Sequence, residues 1–356
     1  MSLLPHALRA STLLIIAAAL AAPGAQAAPA MVQQGPKLTA GETSGFPGFG
    51  WSVALSSDGD TALIGGETAA WVLTRAGSTW TQQAKLTGDF GGDAALSSDG
   101  NIALIGGPGD NGNAGAAWVF TRSGSTWTQQ GPKLTGDGEI GAGGFGTTVA
   151  LSAAGTDALI GAPNDNGDTG AAWAFRLSGS SVTQQRLTGA GEVGAAKFGY
   201  GVALTADGGT ALIGGFADDD NKGAAWTFTR SGSTWTQQGS KLTLSHGSSF
   251  GLSVALSSDG STALISGPSA GGREAAWAFT RTGSTWTQQG SQLSPNDEYS
   301  GHVGGLFGAS LALSSDGSTA LIGGPQDSGS FPRPAAWARR GCSPAPARPG
   351  PSKARS

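Results

Sequence analysis

The chain is poor in the residues on which several protein classes depend. Among 356 residues there are one cysteine, three histidines, two tyrosines and 12% charged residues. The single cysteine, Cys342, excludes an intramolecular disulfide. Beyond the first thirty residues the histidines are His246 and His302, each in a loop between repeat units and neither of them repeated. A nucleophile triad needs a serine or cysteine, a histidine and a carboxylate brought together, with a distinctive local turn. Because the chain has so few histidines and cysteines, we expect no catalytic residue.

Long hydrophobic runs are also scarce. The apolar stretch Leu13–Ala22 follows Arg9 and precedes AQA at 25–27. It is shorter than the roughly 20 residues of a membrane span, so we expect a cleaved secretory signal peptide over 1–27, with an uncleaved anchor as the alternative. A second segment, 339–356, is rich in Pro, Ala and Arg and is predicted to be disordered. Its abrupt break with the preceding pattern is also what an altered reading frame would produce.

Positive charge is in short supply between these two segments. Six of the 20 basic residues lie in the leader and the tail, so 14 remain against 24 acidic ones, a net charge near −10. Nucleic-acid affinity comes largely from neutralising phosphates, so nucleic acid is disfavoured as a partner.

Glycine and tryptophan, in contrast, are abundant, with 62 and 11 residues. Ten of the tryptophans fall in two motifs: AAW at Trp71, Trp118, Trp173, Trp226, Trp277 and Trp337, and STW at Trp80, Trp127, Trp235 and Trp286. The strand motif ALS, with its variants, recurs at leucines 55, 96, 151, 204, 256 and 313. A self-similar period of about 40 to 60 residues is the signature of solenoids and propellers.

Each unit is predicted to contain four antiparallel strands, as in residues 94–136. An Asp-Gly turn joins the first strand to a second, fully apolar one, and an AAWVFTR strand then reverses through a glycine turn into STWTQQ. The fourth strand carries proline in two copies and lysine in several, at Pro36, Pro132, Lys37, Lys85, Lys133 and Lys241. Both residue types suit an edge strand, so the fourth strand is expected at the outer rim.

Six such units predict an all-β fold, a six-bladed β-propeller over 31–338. The sixth unit reaches AAW at 335–337 but lacks the final strand, whereas VQQGPKLT at 32–39 has the sequence of that strand alone. We therefore expect the N-terminal strand to complete the last blade and close the ring. The alternative, an open linear stack, would require polar capping units.

Phe-Gly opens each unit, and GGP, GAP or SGP follows the second strand in four of them. This pattern resembles the FG-GAP repeat of integrin α-chain propellers and, more closely, bacterial secreted FG-GAP repeat proteins, over nearly the whole chain to residue 337. The resemblance implies a propeller that recognises extracellular ligands through its loops. Integrin-type propellers have seven blades and often a D-x-D-x-D-G calcium loop. Here that loop is reduced to one carboxylate per turn (Asp58, Asp99, Asp259 and Asp316), too few for calcium.

Two other groups of acids are candidate sites. The loops after the second strands contain Asp165, Asn166 and Asp168, or Asp218, Asp219 and Asp220, which suit either a cation or an ordinary polar turn. The candidate acids of a paired-carboxylate glycosidase are Glu67, Glu139, Glu192, Glu274 and Glu298. The alternative is that these are ordinary glutamates on the protein surface. We expect no metal and no cofactor.

The sequence favours a secreted, non-catalytic binding or adhesion scaffold whose loops recognise an extracellular protein or glycan. A secreted carbohydrate-active enzyme on the same scaffold is the alternative, and a purely structural exported module is a third reading. Fold-level analogy is the main support for all three.

Overall fold

A computed structural model describes residues 16–19, 35–39, 48–179, 181–245, 249–268, 274–294 and 307–324. All of them belong to one compact unit, Leu13–Asp327. Within these ranges no helix has both the length and the hydropathy needed to cross a membrane.

Five four-stranded antiparallel sheets follow one another along the chain, and in each the sequence order of the strands is also the spatial order. The first sheet consists of β2 (Ser52–Leu55), β3 (Thr61–Gly65), β4 (Ala69–Ala76) and β5 (Thr79–Thr87). The second consists of β6 (Ala94–Leu96), β7 (Ile102–Gly107), β8 (Ala116–Ser123) and β9 (Thr126–Gln129). The third consists of β10 (Thr148–Leu151), β11 (Asp157–Ala162), β12 (Ala171–Ser178) and β13 (Ser181–Leu187). The fourth consists of β14 (Gly201–Leu204), β15 (Thr210–Gly215), β16 (Ala224–Ser231) and β17 (Thr234–Gln237). The fifth consists of β18 (Val254–Leu256), β19 (Thr262–Pro268), β20 (Glu274–Thr282) and β21 (Thr285–Leu293). The predicted four-stranded unit is therefore confirmed five times.

The sixth sheet differs from the other five. It contains β22 (Ser310–Leu313) and β23 (Thr319–Gly323), and β1 (Ile16–Ala19) pairs with β23 where the other sheets have their third strand. The β1 strand lies inside the predicted signal peptide. The AAW motif at 335–337, expected to form that third strand, lies outside the described residues. Six complete four-stranded blades are therefore not observed.

The strands of each unit pair in one register. In every four-stranded sheet the isoleucine of the second strand lies opposite the AAW tryptophan of the third, as in Ile105 opposite Trp118 and Ile160 opposite Trp173. The leucine beside it, for example Leu104 or Leu159, is fully buried. Both faces of the second strand are thus covered, which explains its unbroken apolar sequence.

The hydrophobic core is divided into layers between successive sheets. The layer between the second and third sheets combines Leu104 and Leu134 with Phe145, Ile160 and Trp173. The Phe-Gly phenylalanine packs edge-on against the AAW tryptophan of its own unit, with 5.5 Å between the ring centroids of Phe145 and Trp173. In the second to fifth sheets the AAW tryptophan lies in a cluster that includes residues of the preceding sheet, so these four tryptophans pack between units.

The Phe-Gly motif needs glycine for two reasons: its φ angle is positive, and there is no room for a Cβ atom. Gly146 has φ +91°, and a Cβ atom there would lie 2.4 Å from the carbonyl oxygen of Ala116. Any side chain would therefore force the first strand of the third sheet away from the second sheet.

The Asp-Gly turns are held by their own side chains. In the fifth sheet the Ser257 hydroxyl donates to Asp259 at 2.7 Å, the backbone N–H of Ser261 donates to the same carboxylate at 2.9 Å, and Gly260 has φ +68°. The hydrogen bond from Ser257 is the main reason that the pKa of Asp259 is lowered. The aspartate therefore acts as a turn residue.

Part of the proposed closing strand is described. Residues 35–39 form no strand, but Leu38 packs against the cluster of Ala62, Ile64 and Trp71 in the first sheet. Leu134 of the second unit packs against the third sheet in the same way. Pairing of 32–39 with the third strand of the last sheet involves residues outside the described ranges and stays a prediction.

The first and sixth sheets expose the faces that other sheets bury. Val53 and Leu55 of β2 are 71% and 60% exposed, whereas Val149, at the position of Val53 in the third sheet, is 4% exposed. Leu321 of β23 is 36% exposed, whereas Leu104, its equivalent, is fully buried. These two apolar faces therefore have less cover than the layers between consecutive sheets.

Candidate functional site: the carboxylate loops of the second to fourth sheets

The acidic loops after the second strands each form one short, left-handed helical turn, which the sequence pattern did not predict. The turns are α1 (Asp110–Asn113), α2 (Asp165–Asp168) and α3 (Asp218–Asn221). Their second and third residues have positive φ, as in Asn166 (+51°) and Asp219 (+50°). Asn, Asp and Gly tolerate this conformation, which accounts for the composition of these loops.

The first aspartate of each turn is buried and paired with a cation from its own unit. Asp110 pairs with Lys133, Asp165 with Arg186 and Asp218 with Lys241. The basic residue belongs to the fourth strand or its continuation, so the pair ties the loop to the outer rim of the sheet. Buried carboxylates require such partners.

Two of these aspartates also anchor the connection to the next sheet. The backbone N–H of Ile140 donates to Asp165 at 2.5 Å, and that of Val193 donates to Asp218 at 2.8 Å. Each aspartate therefore joins three segments: its own helical turn, the basic residue near the end of the same unit, and the following connection. We call the connections at 137–144 and 190–197 the carboxylate loops.

Two of the remaining acids of the candidate cation site are also engaged. Asp168 pairs with Lys197 at 2.6 Å, and Asp219 pairs with Lys222 at 2.6 Å. In the described part of the chain, no three His, Cys, Asp or Glu side chains are grouped as metal ligands. Lysine and arginine thus take the positions beside these carboxylates where a cation would bind.

Two of the five candidate glutamates, Glu139 and Glu192, occupy equivalent places in the carboxylate loops. Burial raises the pKa of Glu139 to about 7, and the nearby Asp165 adds to the shift, against the hydrogen bond that Gly143 donates. Burial likewise raises the pKa of Glu192 to about 7, and the hydrogen bond from Gly189 opposes it. Each glutamate therefore lies beside a second carboxylate and titrates near neutrality.

Of the other sequence candidates, only Glu67 has a side chain that the structure describes. Glu67 is exposed in the short turn of the first sheet. The side chain of Glu274 and the whole of Glu298, His246 and His302 lie outside what the structure describes. The repeated G-x-G-E-[I/V]-G-A motif at 136–142 and 189–195 was the signal that separates Glu139 and Glu192 from the rest.

Apolar side chains stand exposed beside these anchored carboxylates. Ile140 is 54% exposed and Val193 is 50% exposed, although the backbone of each is held by a buried aspartate. The carboxylate loops thus present two equivalent apolar tips on a fixed backbone.

No family model matches the chain, and no curated protein matches it. Among solved structures, hydrazine synthase from Kuenenia stuttgartiensis has a TM-score of 0.53 at 12% identity, over 82% of this chain and 77% of that one. The periplasmic gluconolactonase PpgL from Pseudomonas aeruginosa has a TM-score of 0.52 at 14% identity, over 76% and 77%. The fold is a β-propeller.

A further similar structure is TolB from Acinetobacter baumannii, with 15% identity and a TM-score of 0.43 over 68% of this chain. The chain spans 55% of the length of that protein. At such identities the similarity concerns the fold alone.

Proposed function

We propose that this β-propeller is a secreted, non-catalytic binding or adhesion scaffold of the FG-GAP type, acting outside the cell or in the periplasm. The observation that carries the proposal is the anchoring of the carboxylate loops, in which buried Asp165 and Asp218 hold the backbone of exposed Ile140 and Val193. Recognition residues are commonly placed on loops that a rigid scaffold positions. The expected partner is an extracellular protein or glycan.

A closed ring of six blades is part of the proposal, with 32–39 supplying the outer strand of the last blade. The packing of Leu38 against the first sheet supports it, because this leucine has the place that a fourth-strand leucine of a preceding blade would have. Closure would also cover Val53, Leu55 and Leu321, and exposed apolar patches of this kind are uncommon on monomeric proteins.

A specific observation favours the alternative function, a carbohydrate-active enzyme. Glu139 and Glu192 have pKa values near 7, which suits a general acid at neutral pH. Against it, the carboxylate beside each glutamate is already paired with Arg186 or Lys241 and is therefore poorly placed to act as nucleophile or base.

Two assays separate these functions. Binding to glycan and matrix-protein arrays should be lost in the double variant Ile140→Ser, Val193→Ser and retained in Val182→Ser, which changes a 45% exposed residue on the rim strand β13. Release of reducing sugar from a polysaccharide panel that disappears in Glu139→Gln or Glu192→Gln would instead establish the enzyme. Equal array binding by the loop variant and the native protein would contradict recognition through the carboxylate loops.

A further inference from the structure

A cleft of about 350 Å³ opens between the third and fourth sheets, at the end of the strands opposite the carboxylate loops. The third sheet contributes Asp157, Arg176, Thr183 and Gln185, and the fourth contributes Arg230 and Trp235. Its volume lies in the range of small-ligand sites, about 300 to 1,000 Å³. No step of the proposed function involves this cleft.

The third unit departs from the other units at this cleft. Asp157 lies opposite Arg176 in the strand register. The equivalent pairs are Thr61 with Thr74, Ile102 with Thr121, Thr210 with Thr229 and Thr262 with Thr280. Among the five four-stranded sheets, only the third therefore has charged residues at this position, and both of them face the cleft.

The two arginines share one carboxylate unequally. Arg230 is 14% exposed, lies 3.3 Å from Oδ1 of Asp157 and donates through Nε to the carbonyl of Gly208 at 3.1 Å. Arg176 is 53% exposed and lies 3.5 Å from the same Oδ1 atom. Asp157 is thus mainly engaged by Arg230 and by the Thr156 hydroxyl at 2.9 Å.

Arg176 therefore keeps most of its hydrogen-bonding capacity. A guanidinium has five N–H donors, and in the described part of the chain Arg176 has only the long contact with Asp157. Arg230 also lies near Asp207, whose pKa is lowered first by the Thr205 hydroxyl and the backbone N–H of Gly209 and then by Arg230. Arg176 is consequently the cation of the cleft that remains open to an added anion.

Trp235 lines the cleft, and its hydrogen bonding differs from that of the equivalent Trp127. Between the first and second sheets the indole of Trp127 donates to Gln83. Gln185, at the position of Gln83, instead bonds the backbone of Trp235, accepting from its N–H at 2.8 Å and donating to its carbonyl at 2.9 Å. Within the described ranges the indole N–H of Trp235 has no acceptor.

We infer that this cleft binds a carboxylate-bearing sugar, with the carboxylate on the guanidinium of Arg176 and the sugar hydroxyls near the Trp235 indole and the Thr183 hydroxyl. Guanidinium and carboxylate form paired, charge-assisted hydrogen bonds, which give both affinity and orientation. The hydroxyl and indole groups match a polyol, whereas a simple inorganic anion would leave them without a partner. The part of the chain between the leader and the tail has a net charge near −10, so Arg176 is where an anion finds local attraction.

The inference is tested by calorimetric titration of the full secreted protein with digalacturonate, its methyl ester, and acetate. Digalacturonate should bind, and loss of its charge in the ester should weaken binding about tenfold or more. Arg176→Thr restores the residue of the other four sheets, so it should fold normally and lose about tenfold or more in affinity. Arg176→Lys should retain part of the affinity for digalacturonate, because lysine keeps the positive charge but cannot form the paired hydrogen bonds of a guanidinium.

Two further measurements complete the test. Trp235→Phe should weaken digalacturonate binding while leaving acetate unaffected, and the indole N–H resonance of Trp235 should shift on titration. Unchanged binding of digalacturonate by Arg176→Thr, or acetate binding as tight as that of the sugar acid, would overturn the inference. The Ile140→Ser, Val193→Ser variant should bind digalacturonate normally, so failure of the loop proposal and failure of this one are distinguishable.

Discussion

Trp127 on β9 donates its indole N–H to the side-chain oxygen of Gln83 on β5 at 3.0 Å, which joins the second sheet to the first. Arg122 adds to this contact, with its guanidinium 5.6 Å from the Trp127 ring centroid and 3.3 Å from the Thr61 hydroxyl. The STW tryptophan, the VFTR arginine and a glutamine of the preceding unit thus form a contact between neighbouring blades. A repeated motif in this protein acts across the boundary between repeats.

The first prediction concerns this contact. Gln83→Leu removes the acceptor and leaves the Trp127 indole N–H unpaired in a partly buried place, so the free energy of unfolding should fall by about 1 to 2 kcal/mol. Urea unfolding followed by tryptophan fluorescence measures it. Gln82→Leu is the matched control, because Gln82 is the exposed neighbour in the same strand, and it should leave the midpoint nearly unchanged.

The layer between the fourth and fifth sheets provides a contrast. There the equivalent atoms, Oε1 of Gln238 and Nε1 of Trp286, are buried and have no hydrogen-bond partner in the described residues. Gln238→Leu removes a buried, unpaired acceptor and should be neutral or stabilising. If Gln238→Leu lowered the free energy of unfolding as much as Gln83→Leu does, the two layers would have the same hydrogen bond.

The second prediction concerns the buried ion pairs of the acidic loops. Lys241→Met leaves the carboxylate of Asp218, 1% exposed, without its cation, so the free energy of unfolding should fall by about 3 kcal/mol or more. Thermal and urea unfolding measure it.

The exposed pair Lys222 and Asp219 is the control for that change, with side chains 56% and 42% exposed. Lys222→Met should leave the free energy of unfolding nearly unchanged, because exposed ion pairs contribute little. Equal effects of the two substitutions would contradict a structural role for the buried pair.

The third prediction is a pH dependence of stability. The folded-state pKa values of Glu139 and Glu192 are about 7 against an ordinary 4.5, so the folded protein binds more protons than the unfolded chain between these values. Stability should therefore fall as pH rises from about 4.5 through 7, and the two carboxyls should add no further change above that window. Urea unfolding between pH 5 and 8 measures the slope.

Substitution of Glu139 and Glu192 tests whether these two residues cause the slope of stability against pH. Glu139→Gln, Glu192→Gln should flatten it, whereas Glu67→Gln, in an exposed turn, should leave it unchanged. The slope that remains in the double variant is expected from Asp93, because burial raises its pKa to about 6. A slope of full size in the double variant would show that other groups are responsible.

How far the sequence predicts this molecule depends on the range of the interactions involved. Asp-Gly turns, two-residue alternation and the fully apolar second strand are local, so the four-stranded unit follows from residues such as Asp259, Gly260 and the TALIG segments. The three helical turns were missed, because a single turn has no periodicity and its Asp and Asn residues are also those of ordinary loops.

The candidate site was predicted only in part for the same reason. The motif containing Glu139 and Glu192 is visible in the sequence, but the burial of these glutamates and the pairing of Asp165 with Arg186 depend on chain segments about twenty residues apart meeting in space. The sequence also shows that Arg176 replaces a threonine. That Arg176 and Trp235 of a different sheet line one cleft is a property of the stacked blades alone.

The last prediction tests ring closure. Residues 31–40 include Leu38, which packs against Ala62, Ile64 and Trp71 of the first sheet. Their deletion should lower the melting temperature sharply, because it removes a packed leucine and, in the closed ring, the outer strand of the last blade. Deletion of the predicted disordered tail, 345–356, is the control and should leave the melt unchanged. Closure also requires that, once the leader is cleaved, AAW at 335–337 pairs with β23 in place of β1. A mature protein that melts identically with and without residues 31–40 would show that the ring is open, and Val53 and Leu55 would then need another cover.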